Sequence, residues 1–198
     1  MITGVHGLYV VKNPNYMDSL LHALQGRGYK TCSFRYGLIT VIQTYFDWLE
    51  SKRTKHLLSL LKKGDSLIGH SFGAVVISDT LKLLSEQNYQ NPENPIKLNK
   101  VYLFNAALNT DAQLNTEYVN KIYVFYDKKD WVLKIASWFP WSKLGNMGQV
   151  GAKILDSRIE NREIEDKSPF WSYVHKRIFK TRKTVDEYCD IIDKLEAE

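Results

Sequence analysis

A chain of 198 residues with 44% hydrophobic and 25% charged side chains is long enough to bury one substantial core and too short for two, so residues 1–198 are expected to form a single domain. Its longest apolar runs, such as 74–77, fall far short of the roughly 18 residues that cross a bilayer, and no basic segment followed by an apolar stretch opens the chain, which predicts a cytoplasmic protein. The formal charge of +5 is uneven, because six of the nine residues at 175–183 are His, Lys or Arg. Without a nucleic-acid motif beside it, this run reads as a solvated basic face or a site for an anionic substrate or lipid headgroup, and no nucleic acid is expected as a partner.

Short β-rich runs alternate with helix-period stretches along the chain, the pattern of a mostly parallel sheet of about six strands with helices on both faces. The first strand spans 2–5. It is followed by a turn around Asn13 and Pro14 and by a helix with Met17, Leu20, Leu21 and Leu24 on one face, ended by Gly26 and Gly28. A second strand at 29–34 precedes a long helical region over 40–63, with a break near 51–53 and a buried stripe of Leu57, Leu58 and Leu61. The third strand, 66–68, enters a glycine-bracketed turn and leaves it as a helix whose Ala74, Val75, Val76, Ile77 and Leu81 are too apolar for a surface. Strands at 101–104, 122–126 and 159–164 follow, and Thr184 with Glu187 reads as a capping box ahead of a last helix carrying Val185, Tyr188, Cys189, Ile192 and Leu195. Cys32 and Cys189 are too few for a disulfide framework or a zinc site and are expected to be reduced. No metal and no organic cofactor is implied.

Gly69-His70-Ser71-Phe72-Gly73 fits G-x-S-x-G between a predicted strand and a predicted buried helix. A strand turning sharply into a helix strains its apex residue, so small flanking positions are needed and the apex hydroxyl is held clear of the sheet. The helix N-terminus behind it turns N–H groups and partial positive charge towards an oxyanion formed on attack. The competing reading is a glycine-lined turn with an idle serine.

With these residues the chain resembles the α/β-hydrolase superfamily, in particular its compact serine esterase and lipase-like members, over nearly its whole length. His6-Gly7 after the first strand looks like that family's His-Gly oxyanion loop. The resemblance implies a minimal α/β-hydrolase fold, Ser71 as nucleophile, and the Leu8 and Phe72 amides as oxyanion-hole donors. His6 and Gly7 of that loop and His70 beside the nucleophile are candidate substrate-contacting residues, together with Trp131 and Trp138. His6 reads more readily as a residue that organises its loop.

The family order Ser, acid, His directs attention downstream to Tyr126-Asp127-Lys128-Lys129-Asp130-Trp131-Val132. Asp130 stands where the family's G-x-x-D loop carries the acid, Asp127 replaces the usual glycine and competes with it, and Asp111 occupies a position that some lipases use. Leu144-Gly145-Asn146-Met147-Gly148, with Gly151, resembles a glycine-rich stretch between acid and base in small hydrolases. His22 and His56 precede the nucleophile, and His6 and His70 belong to the motifs above, so His175 is the histidine left for the base. Its setting, His175-Lys176-Arg177-Ile178-Phe179, resembles the family's His-x-x-aromatic surroundings, against the alternative of a surface histidine in a basic run.

The segment 131–158 between acid and base reads as a lid or pocket wall. Its aromatic cluster at 135–141 reads as core packing, as an acyl-binding wall, or, through Trp138, Phe139 and Trp141 beside the basic run 175–183, as a weak membrane or lipid contact. The expected activity is cleavage of a small acyl ester through Ser71, His175 and Asp130, in the manner of a carboxylesterase or lipase. The alternative is a non-catalytic scaffold that binds a lipid, a membrane surface or a protein partner.

Overall fold

The computed structural model describes residues 1–7, 16–35, 47–136, 138, 144–164, 175, 179 and 181–198. Six strands, β1 (Ile2–Val5), β2 (Thr31–Phe34), β3 (Ser66–His70), β4 (Leu98–Phe104), β5 (Val119–Tyr126) and β6 (Ile159–Glu163), form one sheet in the order β2-β1-β3-β4-β5-β6. Every neighbouring pair is parallel. The helices are α1 (Tyr16–Gly26), α2 (Asp47–Leu60), α3 (Gly73–Gln90), α4 (Trp131–Ala136), α5 (Met147–Val150) and α6 (Arg182–Ala197). The chain therefore has the expected α/β class, and its strand order reverses between β1 and β3, where a parallel sheet opens a crevice at the strand C-termini.

Two-residue alternation in the central strands divides the core into two chemically different layers. Val101 and Leu103 of β4 and Ile122 and Val124 of β5 pack with Ala74, Ile77, Leu81 and Leu84 of α3, with Leu57 of α2 and with Leu61 just after it. The intervening Tyr102, Phe104, Tyr123 and Phe125 face Leu20 and Leu24 of α1 and Tyr188, Cys189 and Ile192 of α6. Because the register pairs Tyr102 with Tyr123 and Phe104 with Phe125, these rings stack at 5.6 and 4.5 Å, and Tyr188 meets Phe104 edge-on at 5.4 Å. Such pairs contribute about 0.5–1.5 kcal/mol each beyond their buried area. Glu196 near the end of α6 accepts from Ser66, Asn99 and Tyr102 and ties that helix to the N-terminal ends of β3 and β4. Burial and the Glu196 carboxylate push the Tyr102 hydroxyl well above its ordinary pKa.

Several boundaries differ from the sequence reading. β4 and β5 begin earlier, at Leu98 and Val119, because Leu98 pairs across to Val119 despite the polar Asn99 and Lys100 that follow it. β2 begins only at Thr31. α2 runs unbroken through 51–53, and residues 40–46 of the expected helix lie outside the described residues. It stops at Leu60 rather than Lys63, because the Lys62 N–H donates to the Asp65 carboxylate at 2.8 Å instead of continuing the helical ladder.

α6 starts one turn earlier than the expected cap. Thr181 is extended and accepts from the Thr184 N–H at 3.2 Å, while Thr184 Oγ1 accepts from the Thr181 N–H at 3.3 Å. The box is thus Thr181 with Thr184, and Glu187 lies inside the helix. Cys32 and Cys189 are free thiols. Among the described residues no helix is long and apolar enough to cross a membrane.

Candidate active site

The turn from β3 into α3 is held by hydrogen bonds to its neighbours. Ser71 continues the ladder by donating its N–H to Phe104 O at 3.1 Å, then reverses the chain with φ +55°, and its carbonyl accepts from Ala74 and Ala107, both at 3.1 Å. A left-handed non-glycine residue costs about 1–2 kcal/mol. Among the described residues only Ser71 and Asn105 adopt it without being glycine. Gly73 is required by what lies beside the turn, since a Cβ there would stand 2.2 Å from Val5 O and 2.7 Å from His6 O. At Gly69 the corresponding atom would meet the Ile77 side chain at 2.7 Å and the Ala74 backbone at 3.2 Å. The half-buried Ser71 hydroxyl is thereby carried at the C-terminal edge of the sheet, beside the β1–β3 crevice.

The structure brings Ser71, His175 and Asp130 together in a line. His175 Nε2 lies 2.8 Å from Ser71 Oγ, and its Nδ1 lies 2.7 Å from Asp130 Oδ2. Asp130 is fully buried ahead of α4, where its Oδ1 accepts the Leu133 N–H at 3.3 Å. A buried carboxylate that accepts at Nδ1 holds that proton there and leaves Nε2 with a lone pair facing the serine hydroxyl. The two competing acids are placed differently. Asp127 is buried and turns Oδ1 to the Lys129 N–H at 2.8 Å, closing its own loop, while Asp111 is exposed.

Of the residues expected to touch substrate, His70 is buried and its Nε2 donates to the His175 carbonyl at 2.7 Å, with the two rings 4.9 Å apart and Phe179 edge-on to His70 at 5.1 Å. His70 thus holds the backbone that carries His175. His6 is also buried, and its Nε2–H donates to Ser33 Oγ at 2.8 Å while Ser33 donates to Asp18 at 2.9 Å. Burial lowers the His6 pKa, Asp18 partly restores it, and Arg35 opposes it, so the ring is neutral near pH 7. Gly7 packs on the turn, its would-be Cβ 3.1 Å from Ser71 Cβ. Phe72 sits between Ser71 and α3 with its side chain buried, and Leu8 lies outside the described residues.

Trp131 is 49% exposed, and Trp138 is 69% exposed, which removes the core-packing reading for Trp138, while Phe139 and Trp141 lie outside the described residues. Within 131–158 the structure describes 131–136, 138 and 144–158. The glycine-rich stretch threads against the loop after β4. Gly145, Met147 and Gly148 donate to the carbonyls of Ala107, Leu108 and Ala106, and a Cβ on Gly148 would stand 2.1 Å from Asn105 C.

The sequence reading missed Asn105. Buried, at φ +46°, it donates Nδ2 to Asp130 Oδ2 at 2.8 Å. The signal available was an asparagine directly after a strand, and its meaning depends on the pairing of Phe104 with His70. Among the described residues no group of three or more His, Cys, Asp or Glu side chains could hold a metal ion.

No family model matches the chain, and no curated protein matches it significantly. Among solved structures it is similar to a protein of Pectobacterium atrosepticum described as a YdeN-like hydrolase, with 16% identity, coverage of 96% of this chain and 91% of the other, and a TM-score of 0.43.

Proposed function

We propose that the chain is a serine hydrolase that cleaves a small acyl ester through a covalent acyl-enzyme. The reading rests on one observation, the line Ser71 Oγ, His175 Nε2, His175 Nδ1, Asp130 Oδ2 with steps of 2.8 and 2.7 Å that ends on a fully buried carboxylate. A serine hydroxyl is a weak nucleophile until a base within hydrogen-bond reach removes its proton, and this line supplies such a base already oriented.

Ser71 Oγ attacks the ester carbonyl carbon as His175 Nε2 takes the hydroxyl proton, giving a tetrahedral oxyanion and an imidazolium whose Nδ1–H stays on Asp130. The oxyanion is held by the Phe72 amide at the start of α3 and the Leu8 amide of the His-Gly loop. The imidazolium then protonates the departing alkoxide as the C–O bond breaks, leaving the acyl group on Ser71. Water repeats the sequence: His175 removes its proton, hydroxide adds to the acyl carbon, and Ser71 leaves with that proton as the carboxylic acid is released.

Turnover of p-nitrophenyl acetate and labelling by a fluorophosphonate test the reading together. Ser71→Ala should reduce kcat by about 10⁶-fold and abolish labelling, and His175→Ala should suppress labelling as well. A wild-type protein that neither labels nor turns over any short ester, while still binding a lipid or protein ligand, would instead be a binding scaffold.

A further inference from the structure

We infer that Asn105 is a positioning residue for this chemistry, using its amide to hold the Asp130 carboxylate in the orientation that faces His175. The inference rests on the serine-hydrolase reading above. Its basis is an accumulation of unfavourable features at one residue. Asn105 is fully buried, stands at φ +46°, and leaves its Oδ1 buried with no hydrogen-bond partner. Native proteins keep such features where a local interaction requires them.

Here the requirement is the polarity of the partner. An ionised carboxylate only accepts, so the amide must present Nδ2 to Asp130, and rotating it to satisfy Oδ1 elsewhere would put two acceptors face to face. The bond goes to Oδ2, the same oxygen that receives His175 Nδ1, at 2.8 and 2.7 Å respectively. Leu133 N–H holds the other oxygen, so the carboxylate is fixed at both ends and the oxygen facing the imidazole has two donors.

The backbone places Asn105 for this role. Its N–H extends the β4–β5 ladder to Phe125 O at 3.1 Å, and the left-handed residue then turns the side chain back across the end of β5 towards the loop that carries Asp130. When His175 becomes an imidazolium, the second donor keeps Oδ2 in line with Nδ1 instead of letting the carboxylate follow the ring. Among the described residues, the titratable groups in contact with the imidazole are Asp130 on the loop after β5 and His70 at the end of β3.

Two substitutions test the role in the full chain. Asn105→Gly accepts φ +46° without strain, so it removes the donor while leaving the turn intact. It should lower kcat for p-nitrophenyl acetate by about 10- to 100-fold with KM changed less than about twofold. Asn105→Asp keeps the shape, and because two buried carboxyls this close share one proton its O–H donates to Asp130 in place of the amide, so kcat should return to within about threefold of wild type.

Wild-type kcat in Asn105→Gly overturns the inference. So does a fall in kcat in both variants that merely tracks a fall in Tm, because that is a purely structural role. Fluorophosphonate labelling of the wild type separates the levels. If Ser71 labels and the variants behave as wild type, only the role of Asn105 falls; if Ser71 does not label and no ester is turned over, the hydrolase reading falls and takes this inference with it.

Discussion

Two adjacent strands end in the same unusual way, and the contrast between them explains what local sequence can and cannot reveal. β3 and β4 each donate one more ladder hydrogen bond, from Ser71 to Phe104 O and from Asn105 to Phe125 O, and each then reverses through a left-handed residue. The Ser71 turn finds its room through a glycine two residues on, Gly73, which lies against Val5 O. The Asn105 turn has Phe104 and Ala106 as neighbours, and the close approach beside it is made by Gly148, far along the chain, whose amide donates to Ala106 O. One turn therefore announces itself in five consecutive residues. The other is written in two separate places that only folding brings together.

The most direct way to break this comparison is to add one methyl group to each glycine. Gly73→Ala would force a Cβ to 2.2 Å from Val5 O, and Gly148→Ala to 2.1 Å from Asn105 C, in both cases against backbone that cannot rotate away. Each is expected to destabilise by about 2–3 kcal/mol, a Tm drop of about 5–10 °C for a chain of this size, measurable by calorimetry. A silent Gly148→Ala would mean that the distant glycine does not support the Asn105 turn, and the two turns would then differ in kind.

A smaller effect sharpens the contrast through pH. The Ser71 turn leans on the Val5–His6 backbone, and that segment is held by a titratable chain, His6 to Ser33 to Asp18, whereas the Gly148 side is held by backbone hydrogen bonds. Burial, the largest influence on His6, depresses its pKa in the folded state below the unfolded value of about 6.5. The unfolded chain therefore binds the extra proton first on acidification. The stability linked to His6 is complete above about pH 6.5 and is lost as pH falls towards and through the lower folded value. Urea midpoints at about pH 7.5 and 5.5 should differ less in His6→Gln than in wild type. An equal difference would show that the His6 anchor does not titrate with folding.

The smallest expected effect concerns a local pattern that the sequence offers twice. Thr181→Ala should cost about 1 kcal/mol through loss of the α6 cap, and Glu187→Ala should change stability by less than about 0.5 kcal/mol. The reverse result would restore the later cap expected from sequence.

The alternation of β-rich and helix-period runs was sufficient for the α/β class and the six strands, because central strands buried on both faces leave continuous apolar stretches whichever way they pair. The elbow was legible for a similar reason. Its two glycines stand in one short stretch around Ser71, although only Gly69 is required by near neighbours, Ile77 and Ala74, whereas Gly73 is required by Val5 and His6 of the distant β1. Strand ends with polar residues, such as Asn99 and Lys100 in β4, escaped because their pairing is decided by the neighbouring strand.

The choice among Asp111, Asp127 and Asp130 as the neighbour of His175, and the existence of Asn105 behind it, could not be read from spacing. Each depends on which side chains meet across loops after β4 and β5 that are brought side by side by parallel register. Sequence alone determined which local conformations were sterically affordable. Tertiary structure decided which polar groups those conformations would point at one another, because a hydrogen bond between residues 105 and 130, or 130 and 175, has no counterpart in the chain until the sheet has formed.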